Sequence, residues 1–319
     1  MVSEVKVQTR RHMVFLVLAA AIWGMAFVAQ RKSSDAIGPF TFNGIRSLLG
    51  GVVLLPVIAL LDRAGLSGKE KSSRTAESKK KLVAGGIFCG MALFAASSFQ
   101  QIGIYQGTAA GKAGFLTACY ILLVPVFGLF LGQKSSYRIW AGVGLAVLGL
   151  YFLCINDSMS IQKSDVFVFL SAVCFAVHIL VIDHYAPFVD GVRLSCIQFF
   201  VCGILSAVLM AVFETGHSAA EIIAWAGTLS GLDAWLPILY AGICSSGVGY
   251  TLQVVGQKGV NPTAASMLLS LESVFSVLAG ALFLGERLTG REIFGCVLIF
   301  AAIVFVQLVP SQASEKRRV

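Results

Sequence analysis

Charged side chains interrupt three segments of the sequence that are otherwise apolar. Arg46, Lys112 and Glu272 each stand among hydrocarbon and small side chains. An ionised group in apolar surroundings is costly unless it is paired or hydrated, so such residues face protein or water. Two cations and a carboxylate of this kind could bind the charged ends of a small molecule or exchange a proton with it.

Lys112 lies in QGTAAGKAGFL, a glycine-rich stretch that suggests a phosphate-binding loop. That loop needs four residues between its first glycine and the Gly-Lys pair, followed by serine or threonine. Here three residues separate Gly107 from Gly111, and Ala113 follows the lysine, so a nucleotide-binding loop is excluded. Two alternatives stay open: Lys112 extends to lipid headgroups, or it lines an aqueous vestibule and attracts anionic substrates.

Arg46 and Asn43 are three residues apart and therefore share one face of a predicted helix. Either Arg46 pairs with another part of the protein or it contacts substrate, with Asn43 beside it. The sequence does not decide between these roles.

Glu272 is predicted about 15 Å into its helix, near the middle of the bilayer. It could exchange a proton, hold a substrate amine, or make a buried hydrogen bond to a neighbouring helix. His178 is a second candidate for proton coupling, although a lone helical histidine is often a packing residue.

Three aromatic residues are candidates for the walls of a binding pocket. Trp23 and Phe175 fall at corresponding positions of an internal repeat, and Tyr120 is predicted at a depth similar to that of Glu272. Packing within a helical core is the alternative for all three.

The composition is that of an integral membrane protein. Of 319 residues, 57% are hydrophobic and only 13% are charged, against about 25% in soluble domains. The net charge of +8 comes mostly from loops and tails, which does not favour nucleic-acid binding. The eight cysteines lie in apolar runs without a CxxC pair, so neither metal ligation nor disulfides are expected.

The sequence predicts an all-α membrane protein with ten transmembrane helices, since about 20 apolar residues cross a bilayer. The predicted spans are 13–30, 39–61, 82–104, 109–131, 137–154, 165–185, 191–213, 233–255, 262–284 and 292–309. A further segment, AAEIIAWAG, is too short to cross and is expected to lie on the outer surface.

Basic residues predict the orientation, because cytoplasmic loops are enriched in lysine and arginine. With the N-terminus inside, the basic loop 62–81 and both tails, 1–12 and 310–319, are cytoplasmic.

An internal repeat divides the chain. FLGQKSSYRIWAGVGL aligns without gaps on FLGERLTGREIFGCVL, which predicts five spans in each of two repeats, 13–154 and 165–309. Five is odd, so the second repeat must cross the membrane in the opposite sense. Inverted repeats are typical of alternating-access transporters, whose substrate site lies between the halves.

The segments GTAAGKAGFLTACYILLVPVFGLFLGQKSSYRIWAGVGLAVLGL and GVNPTAASMLLSLESVFSVLAGALFLGERLTGREIFGCVLIFAAIVFV resemble the EamA domain of the drug/metabolite transporter superfamily. The resemblance covers nearly the whole chain as two such domains. It implies a ten-helix carrier of the inner (plasma) membrane, often an exporter of amino acids or other small metabolites. One departure is Ser273, where the family commonly has proline after the glutamate.

The leading interpretation is therefore a secondary transporter of small organic metabolites. No ATP-binding motif is visible, no cofactor or metal is expected, and a proton is favoured over sodium as coupling ion. A homodimer is compatible with the sequence. A non-transporting scaffold or sensor is the alternative, and a membrane enzyme is disfavoured because the four histidines are scattered and no HExxH or GxSxG occurs.

Overall fold

The computed structural model describes residues 2–65, 76–132, 136–154, 162–283 and 289–307, and in these ranges the regular structure is helical. The α-helices are α1 (Val2–Ser33), α2 (Pro39–Arg63), α3 (Ala76–Tyr105), α4 (Ala110–Ala118), α5 (Tyr120–Phe130), α6 (Tyr137–Cys154), α7 (Lys163–Tyr185), α8 (Gly191–Phe213), α9 (Ala219–Thr228), α10 (Leu232–Leu239), α11 (Thr251–Gly256), α12 (Pro262–Leu269), α13 (Leu271–Phe283) and α14 (Gly290–Gln307). A 3₁₀ turn follows α7 at Ala186–Phe188, and a π-helix, Tyr240–Tyr250, joins α10 to α11.

The described residues include eight helical segments long and apolar enough to cross a membrane. They are Arg10–Ser33, Pro39–Arg63, Ala76–Tyr105, Ala110–Phe130, Lys163–Phe188, Gly191–Phe213, Leu232–Gly256 and Pro262–Ala279. Each coincides with a predicted span, so the all-α, multi-pass membrane class is confirmed. The apolar helices α6 and α14 stand where the fifth and tenth spans are predicted.

Helices from the two predicted repeats pack against each other throughout the molecule. Helix α3 packs on α7 and α8, α2 on α8, α6 on α14, and α1 on α13 and the π-helix. The two predicted repeats are therefore interleaved, and each of these helix–helix interfaces brings together residues far apart in sequence.

Two glycines at corresponding positions of the repeats allow close approaches between helices. A Cβ on Gly103 would lie 2.4 Å from Val168 Cγ2 and 2.8 Å from the Ser164 carbonyl oxygen. A Cβ on Gly256 would lie 2.9 Å from the His12 carbonyl oxygen. The beginning of α7 thus rests directly on the end of α3, and the part of α1 around His12 rests on the end of α11.

Adding a methyl group at Gly103 or Gly256 should lower the free energy of unfolding by about 1–3 kcal/mol, since backbone atoms block the new Cβ. Gly144→Ala on α6 is the matched control, because nothing lies within 4 Å of that position. There alanine should be neutral or gain up to about 1 kcal/mol. Thermal unfolding in detergent measures all three variants, and equal shifts would contradict the proposed contacts.

The short helix predicted between the seventh and eighth spans is α9, and its lipid-surface position stays a prediction. Ser218 caps it, and the backbone N–H groups of His217 and Ser218 hold the pKa of Glu221 below its usual value. Several other predictions lie outside the described residues, namely the basic stretch 66–75, the parts of the repeat motifs at 133–135 and 284–288, and the tail 310–319. Helix α1 begins at Val2, inside the predicted N-terminal tail.

Candidate functional site

Two predicted spans, the fourth of each repeat, are interrupted at places that differ by two residues in the repeat alignment. The fourth consists of α4 and α5, separated at Cys119, and the ninth of α12 and α13, separated at Ser270. At each break the backbone forms a hydrogen bond between residues three apart, as in a 3₁₀ turn. Leu122 N–H donates to Cys119 O (3.0 Å), and Ser273 N–H donates to Ser270 O (3.1 Å). The Ser270 hydroxyl also donates to the Met267 carbonyl, which competes with the regular helix ladder.

The breaks bring Tyr120 and Glu272 together. Each lies in the first turn of the second half-helix, and the Tyr120 hydroxyl donates to Glu272 Oε1 at 2.9 Å. Both side chains are buried, with 3% and 4% exposure. Each is ten residues beyond the first residue of its span, about 15 Å along the helix, as expected for contact near the midplane. A helix N-terminus also favours negative charge, which suits a carboxylate in that turn.

A small cavity adjoins this pair. Its volume is about 30 Å³, room for about one water molecule and far below the roughly 300–1,000 Å³ of ligand pockets. Five of the predicted site residues line it: Trp23, Arg46, Tyr120, Phe175 and Glu272. Further polar lining residues are Gln30, Gln100, Thr117, Ser245, Tyr250 and Gln253.

The Arg46 side chain is positioned in this cavity by two residues of its own helix, α2. Its Nε donates to Asn43 Oδ1 at 2.9 Å, and its guanidinium lies 5.3 Å from the centre of the Phe42 ring. Asn43 in turn donates to the Ser97 carbonyl at 2.9 Å. Among the described residues no carboxylate forms an ion pair with Arg46. Asn43 is therefore a positioning group outside the cavity, and the guanidinium retains capacity for an anion.

Lys112 does not line the cavity. Its ammonium group pairs with Asp165 at the beginning of α7, with side-chain exposures of 16% and 4%. Asp165 also accepts hydrogen bonds from Thr108 Oγ1 (3.1 Å) and the Gln162 N–H (2.7 Å). The pair joins α4 to α7 across the two repeats. Neither sequence alternative for Lys112 included this partner, and its contact with substrate stays a prediction.

Breaking this pair should destabilise the fold measurably. Lys112→Met leaves the buried Asp165 carboxylate without that cation, and we expect a loss of about 3 kcal/mol in the free energy of unfolding. Lys32→Met is the matched control, because its partner Asp233 is 87% exposed and such pairs contribute about 0–1 kcal/mol. If the two substitutions lowered the free energy of unfolding in detergent equally, the Lys112–Asp165 pair would contribute no more to stability than an exposed ion pair.

His178 lies beyond the cavity wall. It is fully buried, its Nε2 is 3.0 Å from Gln198 Oε1, and its ring meets Tyr250 edge-on at 6.0 Å. Its role in proton coupling stays a prediction.

Tyr250 is one of the cavity residues that the sequence analysis missed. It ends the π-helix, and its ring lies 4.5 Å from Trp23, centre to centre. Trp23 Nε1 donates to the Ser245 carbonyl within the same π-helix at 3.4 Å. The glycine- and serine-rich segment YAGICSSGVGY was a usable signal, because hydrophobic segments interrupted by glycine point to the binding sites of transporters.

The fold and cavity define a class of protein: a multi-pass helical membrane protein whose broken helices meet at a buried polar site, as in transporters. Residues 10–155 and 162–308 match the EamA-like transporter family, and the chain belongs to this family. It is accordingly a membrane transporter of the drug/metabolite transporter superfamily and not an enzyme.

The chain is similar to several named proteins. An uncharacterized transporter of Archaeoglobus fulgidus is 30% identical over 92% of this chain and 84% of its own length. The threonine/homoserine exporter RhtA of Salmonella typhimurium is 26% identical over 62% and 68%. A probable amino-acid metabolite efflux pump of Escherichia coli is 23% identical over 92% and 94%. A solved crystal structure shares the fold with a TM-score of 0.72 and 19% identity, covering 93% of this chain and 96% of that one.

Proposed function

We propose that this transporter is a secondary carrier that exports small zwitterionic metabolites such as amino acids. Two similar proteins carry names of that kind, a threonine/homoserine exporter and a probable amino-acid metabolite efflux pump. The substrate class itself is argued from the cavity.

The observation that carries the proposal is the pair of opposite charges on one cavity. Arg46 and Glu272 both line it. Among the described residues the guanidinium donates a hydrogen bond to the neutral Asn43, and the carboxylate accepts one from the neutral Tyr120. A buried charge without a counter-charge is costly. A molecule with a carboxylate and an ammonium group supplies both counter-charges at once, and Arg46 can hold the carboxylate with two parallel hydrogen bonds. Trp23 and Phe175 then face its apolar part.

Alternating access between two inverted five-helix repeats is the proposed mechanism. The cavity is too small for an amino acid, so the helices around it must separate before substrate enters. Two contacts between the repeats are candidates for rearrangement: Tyr120–Glu272 beside the cavity and Lys112–Asp165 near one end of the helices. The interrupted fourth and ninth spans provide places where the backbone can adjust.

The proposed carrier also has a defined orientation in the membrane and a defined source of energy. Basic loops and tails support an inner-membrane carrier of ten spans with both termini in the cytoplasm. Glu272 is the candidate for proton coupling, because a carboxylate that alternates between a substrate amine and a proton would link the two. His178 is a second candidate, one aromatic ring away from the cavity.

The test is counterflow in proteoliposomes with a panel of zwitterionic amino acids, their amides and their decarboxylated amines, with and without a pH gradient. We expect zwitterions to exchange and the analogues lacking a carboxylate to exchange poorly. Exchange of amines as fast as amino acids, or of none of the panel, would refute the proposed substrate class. Loop labelling from either side of the membrane tests the orientation independently.

A further inference from the structure

The Tyr250 ring is held in one orientation by aromatic neighbours on three sides. The ring centres of Trp23, Phe199 and His178 lie 4.5, 5.7 and 6.0 Å away, the last two meeting the ring edge-on. The residue is 6% exposed and lines the cavity. Packing against these rings fixes the side-chain rotamer, and with it the position of the hydroxyl.

The hydroxyl of Tyr250 has no hydrogen-bond partner among the described residues, in contrast to those of Tyr120 and Tyr240. Arg46 and Glu272 line the same cavity as Tyr250. Because Tyr250 lines the cavity, a group bound there can accept a hydrogen bond from this hydroxyl. Glu272 Oε1 accepts from Tyr120, and among the described residues no hydrogen bond joins Glu272 to Tyr250, so an anion held by Arg46 could serve as the acceptor.

We propose that Tyr250 is a specificity-determining residue whose hydroxyl donates a hydrogen bond to the substrate carboxylate held by Arg46. This inference rests on the proposed function and adds a residue to it. The rigid phenol and the guanidinium together recognise a planar, charged carboxylate, and an amide or an amine in its place satisfies neither group fully. Trp23, whose ring is tilted by 50° against that of Tyr250, then limits how close the rest of the substrate can come.

Tyr250→Phe removes the hydroxyl and keeps the ring, so the aromatic cluster is retained. We expect the KM for amino acids to rise about tenfold, the loss typical of one hydrogen bond to a charged group, with little change in kcat. The preference for an amino acid over its amide should fall by a similar factor. A packing defect would instead weaken both substrates equally.

Tyr240→Phe is the matched control. Tyr240 opens the same π-helix, but its hydroxyl donates to the Ile22 carbonyl at 2.8 Å and it does not line the cavity. Its KM and its acid-over-amide preference should match those of the unmodified protein.

The outcomes separate the two proposals. If the unmodified protein exchanges amino acids and Tyr250→Phe leaves KM and the acid-over-amide preference unchanged, the role of Tyr250 is wrong and the proposed function stands. If Tyr250→Phe weakens acid and amide alike, the hydrogen bond to the carboxylate is likewise refuted. If the unmodified protein exchanges no amino acid, the proposed function fails and this inference fails with it.

Discussion

Replacing Arg46 by glutamine should raise the KM for zwitterionic substrates about a hundredfold, equivalent to about 2.8 kcal/mol. The guanidinium is the cation on the cavity wall that lacks a carboxylate partner among the described residues. Glutamine can still reach Asn43, but it can supply neither the charge nor the paired N–H groups that grip a carboxylate. Initial rates of counterflow at varied substrate concentration measure the effect.

The effect of Arg46→Gln should depend on the substrate. Decarboxylated amines do not use the guanidinium, so their transport should be unchanged or faster once the positive charge has left the cavity. Arg193→Gln is the matched control, because that arginine pairs with Asp62 at about 40% exposure, away from the cavity. Equal losses for amino acids and amines would assign Arg46 a structural role instead.

Glu272→Gln is expected to have the second large effect. It removes the negative charge but keeps an oxygen that can accept the Tyr120 hydroxyl, so the contact between the repeats survives. Without the carboxylate, the substrate ammonium loses its counter-charge, and KM should rise about tenfold to a hundredfold. Stimulation by a pH gradient should disappear as well, because glutamine cannot take up a proton.

Transport measured with and without a pH gradient tests the coupling role of Glu272 separately from its role in substrate binding. If Glu272→Gln transports weakly yet retains its response to the gradient, the coupling group lies elsewhere, and His178 is the next residue to replace. Glu77→Gln is the control, since that carboxylate is 78% exposed and pairs with Lys81 one helical turn away. Its pH response should equal that of the unmodified protein.

Much of the cavity could be anticipated residue by residue. Trp23, Arg46, Tyr120, Phe175 and Glu272 were predicted from polarity, depth and repeat position, and all five line it. Depth was the useful variable, because helix rise converts position in a span directly into distance across the bilayer.

The predictions were weakest where a partner came from another helix. Lys112 was read as a residue facing lipid or water, yet it pairs with Asp165, which the sequence analysis did not single out. Tyr250 was missed because its contacts come from spans one, six and seven. Nothing local to either residue specifies these neighbours.

The sequence by itself determined the membrane class, the helical content, most of the span positions and the repeat, because hydrophobicity and helix length act locally along the chain. The tertiary structure decided which charges meet: Glu272 with Tyr120, Lys112 with Asp165, and Arg46 with Asn43 at the cavity. Two of these three contacts join groups in different repeats. Such pairing depends on how the helices pack around small residues such as Gly103 and Gly256, and that packing is a property of the assembled bundle.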